Sequence, residues 1–471
     1  LFTAVFLPMF LAAVDQTLLA TATPAIAATL GGLSDTSWIA VSYLLSSAAV
    51  VPLYGRLGDA HGRRNVLLVA VGIFSLGSLA CGVAQSLPQL VAARVVQGLG
   101  GAGLMTLSQA LIGELIAPRE RVRFQGYFAM VFTTASVAGP VLGGIVVSHL
   151  SWRWLFLANL PLAALAVWRL RKLPPGMAHP SNAGAPDYPG IVLFALSTVT
   201  GLYWLTSAGH RFSWFSWSSA LWICVSLAAG VLLIFHERRL ASPFLPLDLL
   251  RHKTIRYSLI TTALFASCMF AMVFFLPIYL QLGHHVSAVH SGLLLLPLTA
   301  GMVTGSVSTG RFVARSGEPK RIPIVGMSVS SFALLLLAVL PASSMTVAFL
   351  GFVAGAGFGT VMPINQVVVQ TVAGRARLGA VTSMISLFRS IGGAVGAAVF
   401  GALVYSLLPS ADVSRTQESI ASTSASMVTH AFHIAFAVVA AVAAAAAFAA
   451  SRVPKVTLWA KPGARVQSDV G

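Results

Sequence analysis

A series of apolar runs, each about 20 residues long and joined by short polar connections, constrains this chain more than any other feature. A helix of about 20 apolar residues matches the hydrocarbon thickness of a bilayer. Only helices and closed barrels can satisfy every backbone polar group there. Fourteen runs can be marked, at 1–29, 36–56, 65–84, 88–113, 122–148, 152–170, 188–208, 216–235, 256–281, 288–312, 321–341, 345–371, 378–407 and 427–450. Those longer than 20 residues with internal Pro or Gly predict tilted or kinked helices. Only 9% of the 471 residues are charged, against about 25% in soluble domains. The chain therefore reads as an all-α integral membrane protein.

Placement of the charges predicts the orientation. The second, fourth, sixth, eighth, tenth and twelfth connections and the C-terminal tail hold 24 of the 29 Lys and Arg residues. The opposite connections hold only Arg153, Arg211 and Arg415, and Arg94 and Arg389 lie inside runs. Such asymmetry puts the even connections and both termini in the cytoplasm. The net charge of +17 is then a topology signal rather than a nucleic-acid footprint, with a patch for anionic lipid headgroups as a minor role. Cys81, Cys224 and Cys268 all fall in apolar runs, so no disulfide framework is expected. The chain opens on Leu1 and is apolar at once. A trimmed N-terminus is expected rather than a signal peptide, for lack of a basic first segment.

The sequence repeats itself at an offset near 255 residues. Gly55, Arg56 and Gly62 recur as Gly310, Arg311 and Gly317. Val96, Gly98, Gly100, Met105 and Gln109 recur as Val353, Gly355, Gly357, Met362 and Gln366, and RVRFQGYFAM from Arg121 answers to RARLGAVTSM from Arg375. Three matches at one offset, with helix direction kept, imply two parallel six-helix bundles, 1–171 and 256–451. Between them lie a Pro/Gly-rich linker (172–187), two additional helices (188–235) and an amphipathic connection (236–255), and a basic tail follows at 452–471. Parallel halves with a site near the midplane between them describe a rocking secondary transporter.

Seven stretches in register carry a family resemblance. VDQTLLATATPAI (14–26), GRLGDAHGRRNVLL (55–68), RVVQGLGGAGL (94–104), SVAGPVLGG (136–144), WRWLFLANLP (152–161), PFLPLDLLRHKT (243–254) and LFRSIGGAVG (387–396) together resemble the major facilitator superfamily. The likeness is to its fourteen-helix drug:proton antiporter branch, over essentially the whole chain. It implies a bacterial cytoplasmic membrane protein exporting amphipathic small molecules in exchange for protons. The proton gradient would be the energy source, no cofactor is expected, and some relatives work with a periplasmic adaptor and an outer-membrane channel. A dedicated exporter of one metabolite, such as an antibiotic or siderophore, and a non-transporting membrane sensor are the alternatives.

Within these stretches the chemistry is concentrated in a few residues. Asp15 sits in an otherwise apolar run, where an ionised acid costs about 3 kcal/mol on insertion scales and is functional by default. Arg94 lies inside the fourth run, and the family fold would bring the two helices together. An acid that alternates between a paired and an apolar environment takes up and releases a proton. Asp15 is thus expected to couple protons, with Arg94 as partner or relay. A static buried ion pair and a counter-charge for a cationic substrate are the other readings. Asp59, between Gly55 and Gly62 and beside Arg63 and Arg64, could cap a facing helix and pair with arginine as a cytoplasmic gate. Ala314 stands where the second half would repeat it. Gly139, Gly143 and Gly144, with Pro140, form a small face for close helix contact, which the resemblance makes the antiporter helix motif.

Tyr43, Gln109, Asn159, Phe270, Phe274, Asn365 and Gln366 are polar or aromatic at depths suited to a substrate pocket. Glu114, at the end of the fourth run, is expected to face the loop rather than serve as a second proton site. Arg389 lies mid-run without an acid on its own helix. Backbone carbonyls, snorkelling or an anionic substrate could satisfy it, and a structural role is expected. No run of the second half holds an interior Asp or Glu, which disfavours dicationic substrates. No lysine follows a glycine, so no phosphate-binding loop of the G-x-x-x-x-G-K type exists and direct ATP drive is excluded. HERRL (236–240) lacks the second histidine of a zinc motif, and GHHVSAVH (283–290) is a histidine cluster with no metal expected.

Overall fold

A computed structural model describes residues 2–30, 37–173, 187–207, 212–240, 247–284, 286, 288–340, 343–374, 377–407 and 425–456. Sixteen α-helices account for most of them: α1 (Phe2–Leu30), α2 (Ser37–His61), α3 (Arg63–Val83), α4 (Leu87–Leu115), α5 (Pro118–His149), α6 (Arg153–Leu157), α7 (Asn159–Arg171), α8 (Tyr188–Ser207), α9 (Trp217–Glu237), α10 (Lys253–Gly283), α11 (Ala288–Ser316), α12 (Arg321–Val339), α13 (Ser344–Phe358), α14 (Val361–Ala373), α15 (Leu378–Leu407) and α16 (Ala425–Ser451). Among the described residues, 11 helical stretches are long and apolar enough to cross a membrane. Much of the linker and nearly all of the tail lie outside the described residues, as does His285 of the histidine cluster. Among those described, no cluster of metal-ligating side chains occurs.

Two expected helices are broken, each close to a proline. Between α6 and α7 the chain turns at Ala158, and Pro161 follows. Between α13 and α14 it turns at Gly359–Thr360, and Pro363 follows. Proline cannot donate the backbone hydrogen bond that would continue the preceding turn. Ser344–Ala373 is nevertheless long and apolar enough to cross a membrane as one stretch, across the second break.

The repeat is visible in the backbone and in the packing. Gly62 (φ 85°) separates α2 from α3, and its counterpart Gly317 (φ 72°) separates α11 from α12. Positive φ at both positions is a conformation that glycine adopts without a Cβ penalty. A Cβ on Gly98 of α4 would strike Tyr43 and Ser46 of α2, and one on Gly355 of α13 would strike Leu298 of α11. Likewise Gly100 abuts Ala70 and Phe74 of α3, while Gly357 abuts Gly326 and Ser330 of α12. Equivalent glycines thus meet equivalent helices in each half.

The chain forms two compact units. The first takes in 1–112, 130–248 and 376–398, and the second takes in 113–129, 249–375 and 399–471. In the first, α7 packs on α1 and α3, and α8 packs on α9 and α2. In the second, α16 runs along α10 and α12, with Tyr279, Phe400, Phe432 and Phe436 forming an aromatic core. The alanine-rich α16 sequence lets these helices approach closely. Most of α8 and α9 is exposed on the surface of the first unit. Their large apolar side chains, such as Val192, Leu221 and Phe235, point outward, as suits a lipid-facing surface rather than a soluble one.

Candidate functional site

Within the first unit, Asp15 is held by three side chains from two helices. Arg94 Nη1 donates to Oδ2 at 2.6 Å, Gln97 Nε2 donates to Oδ1 at 2.8 Å, and Asn159 Nδ2 donates to the same oxygen at 3.1 Å. Arg94 and Gln97 share one face of α4, three residues apart, and Asn159 opens α7 at the Ala158 break. The carboxylate and guanidinium are 3% and 1% exposed, so water does not supply the missing partners and the protein must.

The second layer is equally complete. Arg94 Nε donates to the Ile39 carbonyl of α2 at 3.1 Å, and Nη1 also reaches Gln97 Oε1 at 2.6 Å. Its guanidinium lies over the Tyr43 ring at 4.4 Å, a cation–π contact that strengthens as water is excluded. Ser78 Oγ of α3 accepts from Gln97 (2.6 Å) and Asn159 (3.1 Å), and the Cys81 thiol reaches Gln97 Oε1 at 3.7 Å. Five elements (α1, α2, α3, α4 and α7) therefore converge on one ion pair. A small cleft lined by Asp15, Leu18, Leu155 and Phe156 opens beside the acid.

The residues around Asp59 make a second polar centre in the same unit. Asp59 pairs with Arg63. Its Oδ1 accepts from the Gly379 N–H at 2.8 Å and its Oδ2 from the Ala380 N–H at 3.0 Å. These are free donors in the first turn of α15, which a carboxylate satisfies while complementing the helix dipole. A Cβ on Gly55 would stand 2.6 Å from the Gly379 carbonyl, so glycine permits this approach of α2 to α15. Gly62 supplies the sharp turn into α3. Arg64 donates to the Leu170 and Arg171 carbonyls at 2.9 and 2.8 Å, closing the last turn of α7.

The remaining predicted residues are dispersed. Gly139, Pro140, Gly143 and Gly144 all lie on α5; Gly143 is buried, and the surroundings of the other three fall outside the described side chains. Tyr43 and Asn159 belong to the ion-pair network. Gln109 and Gln366 are buried on α4 and α14. Asn365 ties α14 to α10 through the Ser258 carbonyl and Thr262 Oγ1, both at 2.9 Å. Phe270 packs beside the aromatic core of the second unit, whereas Phe274 is 54% exposed. Glu114 lies in the last turn of α4, partly buried. Arg389 sits half-buried within α15. Gln97, Ser78 and Cys81 were not singled out from the sequence. The spacing of Gln97, three residues after Arg94, was a usable signal, but Ser78 offered none.

A bundle of apolar helices in two repeated halves, with a charge pair buried in one, defines a membrane transporter. The chain belongs to the major facilitator superfamily, whose model matches residues 5–397. It is 34% identical over 408 residues to the multidrug transporter protein MdtP of Bacillus subtilis, covering 86% of this chain and 75% of that one. Over 413 residues it is 35% identical to an uncharacterized MFS-type transporter, Rv1877, of Mycobacterium tuberculosis, covering 87% of this chain and 60% of the other. The proton:xylose symporter XylE has the same fold at a TM-score of 0.66 and 14% identity, with 97% and 96% of the two chains covered.

Proposed function

We propose that this transporter exports amphipathic small molecules from the cytoplasm in exchange for protons, as a fourteen-helix member of the family in a bacterial cytoplasmic membrane. The observation that carries this reading is the Asp15 carboxylate, buried in a span, paired with Arg94 and bordered by a cleft. Proton exchange at that carboxylate would require its three donors to withdraw and return. Rocking of the two repeated halves would alternate those conditions. Release of Asp59 from the first turn of α15 would accompany the change at the cytoplasmic face. That the Bacillus relative is a multidrug transporter supports the substrate breadth.

The test is transport in inverted vesicles under an imposed pH gradient. Wild type should accumulate ethidium with proton release, and Asp15→Asn should abolish the dependence on the gradient. Equal gradient-driven accumulation in both would remove Asp15 from the mechanism.

A further inference from the structure

Two arginines lie inside the spans, and they are treated in opposite ways. Arg94 has an acid, a side-chain amide, a carbonyl and an aromatic face. Among the described residues Arg389 has no hydrogen bond, ion pair or ring partner. It is not near a helix end. In the span Leu378–Gly401 it is about 17 Å from either terminus at 1.5 Å per residue, too deep for snorkelling to a headgroup. An uncompensated cation at that depth is expensive and marks a ligand path by default.

The surrounding face is built for a polar guest. Thr382, Ser386, Arg389, Ser390 and Gly393 follow the i, i+4, i+7, i+8, i+11 positions of one stripe on α15. Thr382 and Ser386 are buried, and the Ser390 hydroxyl bonds the Ser386 carbonyl at 3.0 Å, leaving the guanidinium alone. The adjoining Leu387 is anchored with Phe194 of α8 and Leu233 of α9, so α15 is fixed laterally at this level. No acid occurs in the spans from α10 onward to neutralise the charge.

We propose that Arg389 recognises the anionic group, a carboxylate, sulfonate or phosphate, of those transported molecules that carry one. This deepens the export reading and rests on it. The guanidinium presents a planar fork of donors that matches such groups in bidentate fashion, which an ammonium does not. The anion sits on Arg389 while the exchanged proton sits on Asp15, so the two charges do not compete for one side chain.

Purified full-length protein in nanodiscs, titrated with carboxyfluorescein and with ethidium by tryptophan quenching, tests this. Wild type should bind both dyes. Arg389→Gln should weaken carboxyfluorescein by about tenfold or more, Arg389→Lys by less, and neither should change ethidium. The proposal is overturned if wild type does not bind carboxyfluorescein, if Arg389→Gln binds it as wild type does, or if both dyes weaken alike. Should Arg389→Gln not fold, phenylglyoxal modification of Arg389 in wild type, mapped by mass spectrometry, replaces it. Carboxyfluorescein should slow that modification and ethidium should not; equal rates sink the proposal. A gradient-independent Asp15→Asn phenotype would overturn proton coupling without touching these binding results, so the two claims fail separately.

Discussion

At Asp15 the protein surrounds an acid with three donors, and removing any one has a different meaning. Arg94→Met leaves a buried carboxylate uncompensated, which costs about 3–5 kcal/mol in buried pairs. Asp15→Asn with Arg94→Met together removes both charges, so the double variant should be clearly more stable than the sum of the singles predicts. Thermal unfolding in detergent of the four members of that cycle measures the coupling. Gln97→Ala removes hydrogen bonds to both Asp15 and Ser78. It should cost about 1–3 kcal/mol and shift the pH profile of transport, whereas a residue that only packs would leave the profile in place. Asp15, Arg94, Asn159 and Tyr43 stood out in the sequence because polar groups are rare in apolar runs. Ser78 did not, because a hydroxyl can bond its own helix at little cost and so carries no positional signal. The Ile39 carbonyl could not be foreseen at all, since any backbone carbonyl is a potential acceptor.

Between helices, glycine decides how close the axes come. Gly100 lies against the α3 backbone at Ala70 and Phe74, whereas Gly72 of α3 has nothing within 4 Å of its absent Cβ. Gly100→Val should therefore destabilise the protein by about 1–3 kcal/mol, the usual cost of overpacking. Gly72→Ala should be neutral or slightly stabilising, since alanine favours a helix interior. Comparing the melting temperatures of the two variants checks this, and a harmless Gly100→Val would refute the packing account. The boundaries of α8, α10, α15 and α16 were legible to within about three residues because apolar runs end where charges begin. The α6/α7 and α13/α14 breaks were not marked beforehand: Pro161 and Pro363 are visible in the chain, but whether a proline bends a span or interrupts it depends on what its neighbours can satisfy.

For the molecule as a whole, the bias of Lys and Arg toward alternate connections predicts which ends lie in the cytoplasm. Reporter fusions after residues 240 and 455 should be active inside the cell, and fusions near residue 211 outside it; the reverse pattern would invert the topology. The Asp59 contacts carry a separate expectation. Asp59→Asn keeps the size of the side chain but weakens its grip on Arg63 and on the α15 amides. Transport should fall several-fold while ethidium binding to purified protein persists, because the substitution touches a contact between α2 and α15 and not the ligand. A parallel loss of binding would make Asp59 part of the site instead.

Length and hydropathy are properties of a stretch read by itself. The chain alone therefore determined that it spans a membrane as helices, that its halves repeat, and where its costly charges lie. Which of those charges meet is a matter of helix rotation and crossing, set by contacts between residues far apart in sequence. Only the folded arrangement showed that Arg94 meets an acid of α1, a carbonyl and a ring of α2 and an amide of its own helix, while Arg389 has no such partner among the described residues.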